Sequence, residues 1–309
     1  MRWPVGKFQH LFSAIFSNIM KPVAGQPRLM LCATLWSLVD HPRPTREWSL
    51  ARKMDAIKAA GFDGIAETFR PELAPHLQRL GLAICGRIFS RHGRDIAQLL
   101  KIEAAGGARL VNCMLGAHDT TPAVATRLTI RTLREARRLG LDAYIETHRD
   151  LCTETPEKLA EIAARYRRAT GELLPVMWDH SHLAVMKHVL PEDFSRRLLA
   201  DRALIQRSRM FHCRPFNSQH CQVPVTNGRG RLTPEFRDYL VFVEDLFTVW
   251  LEGPKPRGDL WVCPEMGTTV GYHVSTNPPV WPDTLRCREE LLAAWARARV
   301  RTQKKRARR

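Results

Sequence analysis

The chain has 309 residues, 44% of them hydrophobic and 26% charged, which is the balance of a folded globular protein and excludes a disordered, fibrous or membrane-embedded chain. Its formal charge of +17 is unevenly spread: Ala296 to Arg309 carry eight Lys or Arg and no acid, so this tail supplies +8 and the other 295 residues +9. Charge alone therefore does not define a nucleic-acid-binding protein. The tail reads as a disordered basic arm, either solvated or in salt-dependent contact with nucleic acid or anionic lipid. The remaining body is moderately basic, which suits a small polar substrate, including an anionic one.

Residues 1–28 form an N-terminal extension. Phe8, Leu11, Phe12, Ile15, Phe16 and Ile19 recur at helical spacing with polar residues between them, which predicts an amphipathic helix too short and too polar to span a bilayer. Arg2 and Lys7 ahead of it give only a weak likeness to a signal peptide. Eight cysteines lie at 32, 85, 113, 152, 213, 221, 263 and 287, without a C-x-x-C pair and often inside apolar runs. That distribution predicts reduced, buried thiols in a cytoplasmic protein.

From residue 29 onward short β-rich runs alternate with amphipathic segments. Leu29 to Leu38, Gly64 to Phe69, Leu82 to Phe89 and Ala108 to Leu115 read as the first four strands. Helices are expected over Ser49 to Ala60, after Pro71, over Asp95 to Ala105, and from Thr121-Pro122 to Leu139. In the second half, strands are expected over Leu141 to Glu146, Leu174 to Asp179, Ser208 to His212 and Asp259 to Glu265. Helices are expected from Thr155-Pro156, over Pro191 to Ala200, from Thr233-Pro234 to Glu252-Gly253, and from Asp283.

Eight strands alternating with helices predict a single (β/α)8 TIM barrel over residues 29–295, because closure leaves no open sheet edge and the helices cover the outside. A doubly wound open sheet is the competing solution. It usually announces a phosphate-binding turn with glycines, whereas the first strand here passes into Trp36-Ser37-Leu38-Val39-Asp40. The tail 296–309 follows the barrel.

Functional residues of such barrels lie at the C-terminal ends of strands. Strands five to eight end at Glu146, Asp179, His212 and Glu265, each an acid or a histidine where an apolar run meets a loop. One such residue is as readily a helix cap, a surface charge or a core histidine. Four around one axis form an oxygen-rich donor set for one divalent cation, Mn2+ or Mg2+ first, with Co2+ or Zn2+ also compatible. A cation also answers the problem of three carboxylates in a confined space. His182 follows Asp179 by three residues and is either a further ligand or a donor to a substrate oxygen. His148, His180, Arg214 and His220 lie close enough in sequence to line the pocket.

The order of these elements resembles the xylose-isomerase-like barrel superfamily, and within it the sugar phosphate isomerase/epimerase group that includes the ketose 3-epimerases. The likeness rests on Glu146, the run Asp179-His180-Ser181-His182, His212 and Glu265. It implies an isomerase or epimerase acting on a sugar or related polyhydroxy carbonyl compound. Glu146 and Glu265 would exchange a proton beside a carbonyl through an enediolate, Asp179 and His212 would hold the ion, and His182 would contact substrate. The group generally carries an arginine further beyond the strand-seven histidine, so Arg214, two residues on, departs from the pattern. A dehydratase or other lyase acting on a polyol would use the same ion and bases with a different leaving group, and the same superfamily contains endonuclease-IV-like phosphodiesterases with three metals. The latter need a D-x-H pair that does not occur between His212 and Glu265. A non-catalytic binding barrel is a further alternative. Homo-oligomers are common among soluble enzymes, but the sequence marks no interface.

Overall fold

The computed structural model describes residues 27–254, 258–269, 272 and 278–308. The amphipathic helix expected near the N-terminus lies outside them. Eight strands, Leu29–Ala33 (β1), Gly64–Ala66 (β2), Ala83–Ser90 (β3), Leu110–Leu115 (β4), Asp142–Glu146 (β5), Val176–Asp179 (β6), Met210–His212 (β7) and Leu260–Cys263 (β8), pair in parallel and in sequence order. β8 returns to β1, with Leu29 opposite Leu260. The (β/α)8 barrel expected from the alternation is thus the architecture of the chain.

Several strands are shorter than the apolar runs that predict them. β1 stops at Ala33 because Thr34 accepts a hydrogen bond from the Ser37 N–H and turns Leu35–Leu38 into a 3-10 helix. β8 stops at Cys263, ahead of Pro264, which has no N–H to give to a ladder. Glu265 therefore sits two residues past the strand.

The helices are Leu50–Ala59 (α1), Ala74–Leu80 (α2), Ile96–Ala105 (α3), Pro122–Arg138 (α4), Pro156–Thr170 (α5), His180–Met186 (α6), Phe194–Leu198 (α7), Arg202–Arg207 (α8), Pro234–Glu252 (α9) and Val280–Ala307 (α10). The Thr-Pro signals are used as caps. Thr121, Thr155 and Thr233 accept from the N–H groups of Val124, Lys158 and Phe236, with proline in the first turn. α6 and α8 were not foreseen. α6 starts directly after Asp179, whose side chain caps it, so no loop residues mark its beginning.

The basic tail corrects an expectation. α10 continues unbroken to Ala307 instead of ending in a disordered arm. Arg297, Arg301 and Lys305, spaced four apart and so on one helix face, reach Glu244, Asp245 and Glu252 of α9, each at 2.6 Å. Ala298 and Thr302 are buried between them. The tail's own composition hides this, since its partner acids lie on another helix.

The barrel has two cores. A large shell between strands and helices holds residues such as Leu31, Ile65, Val111, Ile145, Phe211 and Val262. A smaller cluster fills the lumen with Cys32, Ala66, Cys85, Leu110, Tyr144, Met177, Met210 and Cys263. All eight cysteines are free and buried, so the thiols act as small apolar fillers, as expected.

One acid is buried in the shell away from the strand ends. Glu103 on α3 accepts from the Phe69 N–H with both oxygens, at 3.1 and 3.3 Å, and thereby ties down the chain after β2. Its carboxylate occupies the place that a Cβ at Gly86 in β3 would take. Burial raises its pKa from 4.5 to about 7, only partly opposed by the Phe69 hydrogen bond. Between pH 4.5 and 7 the unfolded chain ionises this group while the folded chain keeps it protonated. Its contribution to stability therefore falls as pH rises through that window and is constant above it. Melting temperatures followed from pH 4.5 to 8 should show this loss in the wild type and lack it in Glu103→Gln.

Candidate metal centre

Alternate residues of a strand face the same side, and this period organises the mouth of the barrel. The lumen residues Cys85, Leu110, Tyr144, Met177, Met210 and Cys263 form an apolar floor. Two residues further along the same six segments stand Arg87, Asn112, Glu146, Asp179, His212 and Glu265. A polar ring is thus stacked on an apolar one. Register aligns part of it directly, with Asp179 opposite His212 across the β6–β7 pair.

Glu146, Asp179, His212 and Glu265 converge, as expected from their positions. Each offers one donor atom, and the four atoms lie within 4.8 Å of one another in a buried setting. His212 Nδ1 is 3.2 Å from Glu146 Oε1, 3.0 Å from Glu265 Oε2 and 3.9 Å from Asp179 Oδ2. Surrounding groups hold the carboxylates in place. Asn112 Nδ2 donates to Glu146 Oε2 at 2.6 Å, and the Ser181 N–H and hydroxyl donate to Asp179 Oδ1 at 3.0 and 2.5 Å.

These supports leave Asp179 Oδ2, His212 Nδ1 and His182 Nε2 buried without a well-aligned hydrogen bond. Burying such atoms unsatisfied is costly. A divalent cation would satisfy Asp179 Oδ2 and His212 Nδ1, and three carboxylates with one imidazole are a donor set suited to Mn2+, Mg2+, Co2+ or Zn2+. The residues present therefore fit a single metal ion.

Electrostatics lead to the same need for positive charge. Burial pushes the Asp179 carboxyl above its ordinary range despite the nearby Arg214 and His212 charges. For Glu146 burial also favours the neutral form, but His212 more than offsets it and the pKa falls. Glu265 is driven well down, because His212 and Arg214 together outweigh burial. Burial disfavours the His212 imidazolium, yet Glu265 and Glu146 raise its pKa to about 10.

Arg214 lies two residues after His212 and so faces the same way. Its guanidinium is 3.0 Å from Asp179 Oδ2 and pairs directly with Glu265 Oε2. It also lies over the Tyr272 ring at 4.6 Å and the Trp36 ring at 5.7 Å. The early position of this arginine thus places it against the carboxylates. His148 lines the cavity, and its ring is 3.9 Å from that of His182. His182 is fully buried, with Nε2 3.5 Å from Asp179 Oδ2 and Nδ1 3.5 Å from Cys221 Sγ.

Four further histidines lie elsewhere. His220 is exposed and is not among the cavity-lining residues. His180 is a core residue stacked on Trp178 at 5.1 Å, and burial depresses its pKa to about 3. His92 and His118 are exposed, so neither extends the cluster. Among the described residues this is the one group spaced to hold a metal ion.

Sequence inspection missed Asn112, Arg87 and Glu67. Arg87 bridges Glu67 and Glu265 at 3.9 Å each. Asn112 and Arg87 interrupt apolar strands in the same inward phase as Leu110 and Cys85, and that alternation is the signal that could have found them. The cavity above the ring has a volume of about 840 Å3 and reaches from Glu146 and Glu265 past Arg87 and Glu67 to Trp36 and Trp48.

No protein-family model and no curated protein matches the chain. Solved structures do. An L-ribulose 3-epimerase is similar with a TM-score of 0.59 and 13% identity, over 89% of this chain and 96% of that one. A xylose isomerase-like TIM barrel protein from Mycobacterium smegmatis, in complex with magnesium, gives 0.53 and 15%, over 89% and 98%. A D-allulose 3-epimerase from Methylomonas sp. gives 0.54 and 13%, over 89% and 100%. The fold is therefore that of the xylose isomerase-like barrels and ketose 3-epimerases. No helix among the described residues is long and apolar enough to cross a membrane.

Arg214 provides a direct test of the charge balance. Arg214→Ala leaves Asp179 and Glu265 buried without their guanidinium partner, which should cost the metal-free protein about 3 kcal/mol. Adding Mn2+ or Mg2+ should recover most of that loss. Thermal unfolding with and without the ion checks both parts.

Proposed function

We propose that the chain is a divalent-metal-dependent isomerase or epimerase acting on a sugar or related polyhydroxy carbonyl compound. The observation that carries this reading is the placement of Glu146 and Glu265 at the two ends of one four-strand arc, both on the cavity and both sharing His212. Two carboxylates that approach a substrate from different sides are the equipment for removing a proton at one face of a carbon and returning one elsewhere.

Asp179 and His212 would hold the ion with the two glutamates. When bound, a divalent ion supplies Lewis-acid polarisation of a carbonyl oxygen and offsets the negative charge that proton removal creates. One glutamate takes the C–H proton from the carbon beside the carbonyl. The other, which has to carry a proton once substrate is bound, returns it to the opposite face of that carbon in an epimerase; in an isomerase the proton goes to the neighbouring carbon. Asn112 orients Glu146 through its Oε2. Arg214 would contact a substrate oxygen beside Glu265, as would His148 on the cavity wall and His182 behind it. One of the structures of similar fold is a D-allulose 3-epimerase in complex with D-allulose, which supports a small polar substrate here.

Glu146→Gln and Glu265→Gln keep the shape of each side chain and remove its proton affinity. In deuterated water with Mn2+, Mg2+ or Co2+, each variant should lose exchange at the substrate carbon by at least about 100-fold. Mass spectrometry of the recovered sugar measures it. Exchange retained by both variants would contradict the assignment.

A further inference from the structure

We infer that the substrate is an uncharged polyhydroxy carbonyl compound that carries a second ring, a glycoside in place of a sugar phosphate. This inference rests on the metal-dependent isomerase reading for what happens at the ring of carboxylates, and on the cavity for everything beyond it.

Charge disfavours a phosphate first. Among the described residues four cationic side chains line the cavity, Lys53, Arg70, Arg87 and Arg214, and each has a carboxylate oxygen within 3.9 Å. Lys53 pairs with Glu47, and Arg70 pairs with Glu72 at 3.3 Å. Arg87 is shared between Glu67 and Glu265, and Arg214 between Asp179 and Glu265. Phosphate recognition uses arginines or lysines whose donors are free for charge-assisted hydrogen bonds. The carboxylates on the same wall, Glu47, Glu67, Glu72, Glu146 and Glu265, outnumber these cations. An anionic substituent would have to compete with these carboxylates, whereas hydroxyl groups can share the carboxylates and guanidinium groups.

Size and surface supply the second ring. The volume of about 840 Å3 falls in the upper part of the range, roughly 300 to 1,000 Å3, of pockets that enclose drug-sized ligands. A monosaccharide fills a small part of it. Beyond the polar ring, the wall contributed by the segment between β1 and α1 is aromatic and aliphatic, with Trp36, Val39, Trp48 and Leu50. Trp36 is fixed there. Its Nε1 donates to Thr269 Oγ1 at 2.5 Å, and its indole lies where a side chain at Gly267 would stand. Trp48 is backed by Arg52, whose guanidinium carbon is 4.4 Å from the ring centroid. Pyranose rings present C–H faces that pack on such surfaces, while their rim hydroxyls meet polar groups such as Glu47 and Lys53.

The test compares three ketoses that differ only at one terminal oxygen: D-fructose, D-fructose 6-phosphate and isomaltulose, in which that oxygen carries a glucosyl ring. Binding to the Mn2+-loaded full chain is measured by calorimetry. Isomaltulose should bind at least about tenfold more tightly than fructose, the advantage expected of one well-packed aromatic contact, and the phosphate no more tightly than fructose. Trp48→Ala should bring isomaltulose to within about twofold of fructose, and Trp48→Phe should keep the preference. Tightest binding by the phosphate, equal binding of fructose and isomaltulose, no binding of any of the three, or an unchanged preference in Trp48→Ala would overturn the inference. Hydrogen exchange in deuterated water on the same samples separates the two proposals. The binding order without exchange defeats the isomerase reading alone, and exchange without the order defeats the glycoside alone.

Discussion

Three carboxylates, Glu146, Asp179 and Glu265, meet around one imidazole nitrogen at the mouth of a closed barrel, and their mutual repulsion has to be answered by positive charge. Water cannot supply the answer, because the group is buried. Protons, guanidinium groups or a metal ion remain. His212 with its pKa raised to about 10 and the buried Arg214 are the chain's own reply, and the well-aligned hydrogen bonds that Asp179 Oδ2 and His212 Nδ1 lack mark where an ion would fit. The surroundings serve this balance: Asn112 and Ser181 restrain oxygens, Arg87 adds a further cation at longer range, and the apolar floor beneath keeps the dielectric low.

Most of this was legible because the period of a strand is two and the ends of parallel strands converge when the sheet closes. Glu146, Asp179, His212 and Glu265 each follow an apolar run at its C-terminal end, so the barrel and the convergence could be anticipated together. What could not be anticipated depends on partners distant in sequence. Asn112 and Arg87 look like defects inside apolar strands until the inward phase of Leu110 and Cys85 is known. His220 and His148 are both loop histidines after strand ends, and only the path of the loops separates the exposed one from the one on the cavity wall. Composition also concealed the role of the tail, since the acids paired with Arg297, Arg301 and Lys305 belong to α9.

Arg214 shows how a shift of a few residues changes what a side chain can do. Two positions after His212, it keeps the inward phase and reaches Asp179 and Glu265, where an arginine further along the loop would stand nearer to the substrate. The guanidinium is thereby tied to the same oxygens a metal ion would use. Its guanidinium also lies over the Tyr272 and Trp36 rings, so the charge at the ring of carboxylates adjoins the aromatic wall of the cavity.

The claim on which the account rests is that these four residues make one divalent-cation site. Titration of the metal-stripped protein with Mn2+, followed by the loss of the free-ion paramagnetic resonance signal, counts the sites directly. The account predicts one ion per chain, with that site abolished in the double variant Asp179→Asn, His212→Ala. No bound ion, three ions per chain, or a single ion that survives the double substitution would contradict it.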